Sequence, residues 1–499
     1  MPSFTSINSA SQSTFSPSVG RPQPRLWPAA IAAALSATAL LWDARPGINW
    51  LLMVLIGATL LSVVERPGRR ALLAPRYWLL AAGGVLAASA SVTASARALL
   101  LAFATFGWLL AIVMLLAAGL VPAQFGPTRL LAAPLRALAP LLNAARQALR
   151  DGARVLGDTE SQAVVRGSVL SIVLVAVCFA LLAEAEPVLA DWRHTLRTVI
   201  ETGGLLGHTL CFAACLPAAL GFYHLNAAKR GPRATEVPDS RAAMFSTGPE
   251  RLIVLGGLAA LLATFLALRL QAALAAPARQ LGGGVTYAAA VHQGFAEITI
   301  VAVLCATTLV LLDRHARRGA QEHRVQLLGR VLVGECLLLL VVAERHLWAY
   351  ELAYGYTLAR VYLQAYIAVL AVWLALLATE LGAAIDVDRL CRRAAAATVL
   401  AVAVLSYWNA PAWIVRHNLE RYQQLGRVDL DYLAALGPDA VPELVGALPS
   451  LPPAERRQLV AELRRRAGGA SGAAPPRWFE WNFRRAAADR ALAGIGDAP

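Results

Sequence analysis

The sequence predicts an all-α fold: a polytopic transmembrane helical bundle of about eleven spans with a small helical tail outside the lipid. Three observations carry this. Of the 499 residues, 58% are hydrophobic and 15% charged, with mean hydropathy +0.56, whereas a soluble domain is about half apolar and a quarter charged. The apolar residues come in continuous runs close to the roughly 20 residues a helix needs to cross hydrocarbon; barrel strands would alternate over about ten. The basic residues concentrate in alternate connecting segments, as in a chain that crosses a membrane repeatedly.

Residues 1–25 are rich in Ser, Thr and Pro and contain no acid, and read as a disordered N-terminus. A signal peptide is the weaker reading of the apolar run at 26–42, because a second apolar run begins almost at once and no small-residue cleavage site precedes it. The transmembrane domain covers 26–409, with runs at 26–42, 47–64, 77–95, 98–121, 165–185, 202–224, 252–276, 295–312, 327–343, 361–382 and 391–409. Within it, the loop 122–164 interleaves Arg136, Arg146, Arg150 and Arg154 with Leu and Ala. That pattern suits either an amphipathic helix on the membrane surface or a helix packed on the bundle. The tail 411–499 reads as short amphipathic helices broken by Pro and Gly. Asp439 is expected to cap one of them, with Val441, Leu444 and Val445 on its inner face. A second helix is expected in PPAERRQLVAELRRRAGG, with Pro at its start and Gly at its end.

Net charge is +14, and Lys229 is the only lysine. In a soluble domain such an excess would suggest nucleic acid; here it lies between apolar spans, so no nucleic-acid partner is expected. One set of alternate segments holds 23 basic residues and the other 7. The positive-inside rule then puts the N-terminus in the cytoplasm of a bacterial inner membrane and, with eleven crossings, the tail outside. The six cysteines all lie in or beside apolar runs, where free Cys packs as a small apolar residue.

Ionisable groups inside a span are costly and mark candidate sites. Glu335 lies in the ninth run and His208 in the sixth. A larger polar cluster is expected at the outer face. It combines His292 and Glu297 with Glu344, His346, Glu351, Tyr354 and Arg360 of ERHLWAYELAYGYTLARVY, and with Asn418 of YWNAPAWIVRHNLERY. Glu344, Trp348 and Glu351 are spaced to share one helical face. No His pair at i, i+4 fixes a metal, so neither a metal nor a cofactor is expected. Phosphate-loop, HExxH, GxSxG and GxGxxG motifs are all missing from the sequence, which disfavours familiar ATPase, zinc-protease and serine-hydrolase chemistry.

The segments HQGFAE, YELAYGYTLAR, NAPAWIVRHNLER and DLDYLAALGPDAVPELVGAL succeed one another over about 280–450. In that order they resemble a bacterial membrane family catalogued as domain of unknown function 4173. Ala410, inserted between Asn409 and Pro411, is a small departure from its pattern. The resemblance singles out Tyr350, Tyr354, Gly355, Thr357, Arg360, Asn418 and Arg421, and lends no activity.

The sequence leaves three functions open as expectations. The preferred one is a non-enzymatic envelope scaffold or sensor that binds an envelope protein or a lipid-linked partner. The others are a secondary transporter using Glu335 and His208, and a membrane-embedded enzyme acting on a lipid-linked substrate, with Glu344 or Glu351 as base and Arg360 holding a phosphate.

Overall fold

The computed structural model describes residues 25–68, 73–121, 125–156, 204–228, 248–274, 287–314, 322–382, 384–470 and 476–496, and among these every regular element is helical. The N-terminal half holds α1 (Leu26–Leu41), α2 (Ile48–Glu65), α3 (Pro75–Ala88), α4 (Ala96–Ala117), α5 (Pro127–Leu131), α6 (Ala133–Leu156) and α7 (Gly204–Ala227). The second half of the bundle holds α8 (Gly248–Leu274), α9 (Tyr287–Arg314), α10 (Glu322–Tyr354), α11 (Leu358–Glu380) and α12 (Val387–Tyr407). The tail holds α13 (Ala410–Leu425), α14 (Leu430–Ala434), α15 (Val441–Ala447), α16 (Pro453–Ala470) and α17 (Phe483–Gly496).

Seven of the described helices (α2, α4, α7, α8, α10, α11 and α12) are long and apolar enough to cross a membrane; α1 and the stretch Thr299–Asp313 of α9 are apolar but shorter. The protein is an integral membrane protein built of helices. The expected run 165–185 lies outside the described residues, and the run 77–95 yields only the 14 residues of α3. That helix stops early because its polar end is used elsewhere. Ser89 and Ser91 turn their hydroxyls back onto the carbonyls of Leu86 and Ala88, and Thr93 to Ser95 bond the tail.

The largest core joins α8, α9, α10 and α11 through residues such as Leu255, Leu309, Leu332, Leu340 and Leu374. Cys305 and Cys336 are buried in it. Charged clasps close one end of this half. Arg251, on the first turn of α8, bonds both carboxylate oxygens of Glu322 at 2.9 and 3.3 Å, and Asp313 lies 4.0 Å from it. Asp313 also accepts the Ile385 amide at 2.8 Å, while Arg389 and Arg393 hold the buried Glu380. The described residues of this end come from the arginine-rich set of segments.

At the opposite end the tail folds into a cap with its own core, in which Ile414, Leu433, Leu444, Leu459 and Leu463 are buried. Val361 of α11 belongs to the same core, so cap and bundle are continuous. The cap helices follow the expected pattern in α16, where Pro453 opens the first turn. They depart from it at Asp439. The residue preceding α15 is Ala440, and no side chain caps that helix. Asp439 is drawn off instead to the amides of Ala94 and Ser95 just before α4. Val441 and Leu444 are buried as expected, with Val445 packed beside them.

Of the two alternatives for the segment 122–164, the structure shows α6 packed on the bundle. The Ala face of α6 packs on the bundle: Ala133 and Ala137 lie against Ile112 and Leu115 of α4, and Ala148 against Leu26 and Leu220. Gly221 of α7 makes the approach possible, since a Cβ there would meet the Leu141 carbonyl oxygen at 2.5 Å. Among the described residues, Leu135, Leu138, Leu142 and Leu149 of α6 are exposed.

Candidate functional site: the capped end of the bundle

At about 1.5 Å per residue, the 33 residues of α10 span roughly 50 Å, well beyond a hydrocarbon core of about 30 Å. Its last turns therefore reach the cap. The chain reverses there through Gly355, whose φ of +88° lies in the left-handed region that favours glycine. Thr357 caps α11, its hydroxyl accepting the Arg360 amide.

The family-like motif residues lock this reversal to the cap. Asn418 of α13 accepts from the Tyr356 amide and donates to the Tyr356 carbonyl, both at 2.9 Å. Arg421 donates to the carbonyls of Leu352 and Ala353 at the end of α10. Arg360 turns back onto the Gly355 carbonyl and lies 4.2 Å over the Tyr350 ring. Tyr432 of α14 accepts the Leu358 amide at 2.8 Å; burial pushes its phenol up, so the oxygen stays neutral. Free carbonyls and amides at helix ends need partners, and these side chains supply them. One Arg360 guanidinium nitrogen is therefore engaged within the turn.

Beneath the turn lies an acidic pair. Glu351 is 0% exposed; one carboxylate oxygen accepts from Gln364 of α11 at 2.8 Å, and the other has no hydrogen-bond partner. Glu344, two turns earlier on the same helical face, also reaches Gln364 and also carries one unpartnered buried oxygen. Glu335, deeper in α10, has an unpartnered buried oxygen as well. Leaving such an atom unsatisfied costs on the order of 1–3 kcal/mol or more.

The structure brings Glu344, Glu351, Arg360 and Asn418 to one end of the bundle. His346 sits there too, but its Nδ1 faces the Val342 carbonyl one turn back at 2.8 Å. The Tyr354 ring lies 4.8 Å from that of Tyr350, tilted 50° to it, and is largely exposed. Trp348 shares the spacing of Glu344 and Glu351 but not their burial, and faces outward. His292 and Glu297 fall on α9, but their side chains lie outside the described residues. His208 is tilted against the Trp42 ring at 6.2 Å, beside the turn after α1.

Two features of the site are not among the residues the sequence singles out. Gln364 was legible, as the one amide in the apolar run 361–382. The second is an anchor made by residues 45 and more positions apart. Asp439 accepts from the Thr93 hydroxyl at 2.9 Å, the Ala94 amide at 2.8 Å, the Ser95 amide at 3.2 Å and Arg484 at 2.9 Å. Arg484 also reaches the Tyr407 carbonyl at 2.7 Å, and Asn482 bonds the carbonyls of Ala90 and Thr93. Arg477 and Arg485 bond the carbonyls of Asp43 and Pro46. The cap is thus tied to the turns after α1, α3, α10 and α12. A cavity of about 590 Å³ lies among the cap elements, with Arg45, Arg466 and Arg485 and the acids Glu480 and Asp489 among its walls. Burial, with Arg45 alongside, pushes Arg485 below the usual guanidinium value.

No curated protein and no solved structure matches the chain. A family model does, and its number corrects the resemblance read from the motifs: it is 4153, not 4173. Both are domains of unknown function, and the match extends well upstream of the motif-bearing third, to residue 29. With residues 29–447 matched, the chain belongs to the family described as Domain of unknown function (DUF4153).

Proposed function

We propose that the protein is a non-enzymatic scaffold or sensor of a bacterial inner membrane, with its N-terminus cytoplasmic and its cap outside, and that the cap binds an envelope partner. The observation that carries this is the anchoring of the cap. A helical module with its own core is fastened to four inter-helix turns, so a load or ligand on the cap is transmitted to most of the bundle. The motif residues serve this fastening, which supports a positioning role over a chemical one. The arginine bias between alternate segments supports the orientation.

The test is photo-cross-linking in intact cells, with the reactive amino acid at Arg457 or Ala461, both exposed and one turn apart on α16. The expected result is the same discrete adduct from both positions and none from the lipid-facing Leu338. Adducts absent from both would remove the scaffold reading.

A second reading, a proton-coupled secondary transporter, is favoured by the unpartnered carboxylate oxygens of Glu335, Glu344 and Glu351. Under it, Glu351→Gln and Glu335→Gln abolish complementation of a deletion strain at unchanged membrane abundance. Under the scaffold reading both variants complement fully, since an amide fills the same space.

A further inference from the structure

Helix α6 presents three different faces around its axis. At about 100° per residue, Ala133, Ala137, Ala144, Ala148 and Gly152 occupy the side that packs on α4, α7 and α1. Leu135, Leu138, Leu142 and Leu149 fall within a neighbouring strip about 60° wide, and all four are 44–75% exposed. Arg136, Arg146 and Arg150, also exposed, occupy the next sector, with Asn143 among them. Asp151, the one acid of the helix, falls on the packed side.

The path of the helix fixes what meets these faces. Ala133 and Ala137 touch the last turns of α4. Ala144 lies among Ala117, Ala118 and Leu225, at the C-terminal ends of α4 and α7. Ala148 reaches Leu26, and Gly152 lies under Trp27, in the first turn of α1. The helix thus runs across one end of the bundle, in the plane where hydrocarbon gives way to headgroups. A leucine strip bordered by arginines at that depth matches a helix lying in the interface, with leucines in acyl chains and guanidiniums at phosphates. Guanidinium forks pair with phosphate through two parallel hydrogen bonds. Among the described residues these three arginines have no acidic partner.

We propose that α6 is an anionic-phospholipid site, in which Arg136, Arg146 and Arg150 hold lipid phosphates of the leaflet at that end of the bundle while the leucine strip sits among their chains. The inference does not rest on the scaffold reading; it needs only that the chain spans a bilayer.

Native mass spectrometry of the full chain in detergent, titrated with phosphatidylglycerol or phosphatidylcholine, tests it. Wild type retains phosphatidylglycerol preferentially. Each interfacial basic residue contributes about 1 kcal/mol, so R136Q/R146Q/R150Q lowers that preference by roughly a hundredfold. The matching triple lysine variant keeps most of it. An unchanged preference in the glutamine variant, or none in wild type, overturns the proposal. A second measurement places the leucine strip. With the six native cysteines replaced and Leu142→Cys carrying a fluorophore, reconstituted protein is quenched by doxyl-labelled lipid. Quenching by aqueous iodide instead overturns the proposal, and so does protection from both, which would mean that another protein surface covers the strip.

Discussion

Asp439→Ala releases the cap. The carboxylate is 1% exposed and answers four donors at once. Its removal leaves the Arg484 guanidinium buried opposite no charge, strands the Ala94 amide before α4, and leaves the Ser95 amide only the Thr93 hydroxyl at 3.3 Å. Breaking one partner of a buried ion pair costs about 3–5 kcal/mol, because the remaining charge stays desolvated. The stranded amide adds to this. The expected readout is a lower unfolding temperature in detergent, together with new protease cleavage between α12 and α15, while the bundle stays folded. Asp439→Leu with Arg484→Met separates charge from packing. Replacing both partners of a buried pair with apolar groups is often neutral, so the double variant recovers much of the loss. It does not recover all of it, since the Ala94 amide still lacks an acceptor. Thr93→Val removes one of the four donors and also the hydroxyl that accepts from Arg484 at 3.1 Å and from the Ser95 amide at 3.3 Å, so it costs about 2–3 kcal/mol, less than Asp439→Ala. If Asp439→Ala melts and digests like wild type, the anchor is not what holds the cap.

Asp439 also marks where sequence reasoning ends. Its position before VPELVGAL has every local property of a helix cap, yet three of its four donors lie more than 340 residues upstream in the chain. No periodicity connects VTAS at 92–95 to GPDAVP, and only the folded cap brings them together. The same holds for α3. Its apolar run reads as a span, and what shortens it is the use of Ser89 to Ser95 as a landing site for the tail. What was legible depends on composition and local spacing: the apolar helices, the arginine-poor end that carries the cap, and the amphipathic character of α6. The candidate cluster was legible as a place. Glu351, Arg360 and Asn418 do meet, because the chain must reverse at Gly355. Their division of labour was not, since Arg360 and Asn418 satisfy helix-end groups that are invisible before the turn is built.

That turn gives the other large effect. Gly355→Ala places a side chain at φ +88°, where an L-residue is strained by roughly 1–2 kcal/mol. The added Cβ would also stand 2.6 Å from the Asn418 Oδ1. Asn418 must then swing away, and both of its bonds to Tyr356 go with it. The single variant should lose about 3–4 kcal/mol in all, counting about 1 kcal/mol for each bond. The cycle with Asn418→Ala distinguishes the two causes. Asn418→Ala alone forfeits the two bonds, and in that background Gly355→Ala meets no amide and adds only the backbone strain. The pair is therefore less destabilising than the sum of the singles by about 2 kcal/mol, within the range expected for residues in direct contact. Strict additivity would mean that Gly355 is needed only for its backbone angle, and that the amide of Asn418 does not close over it.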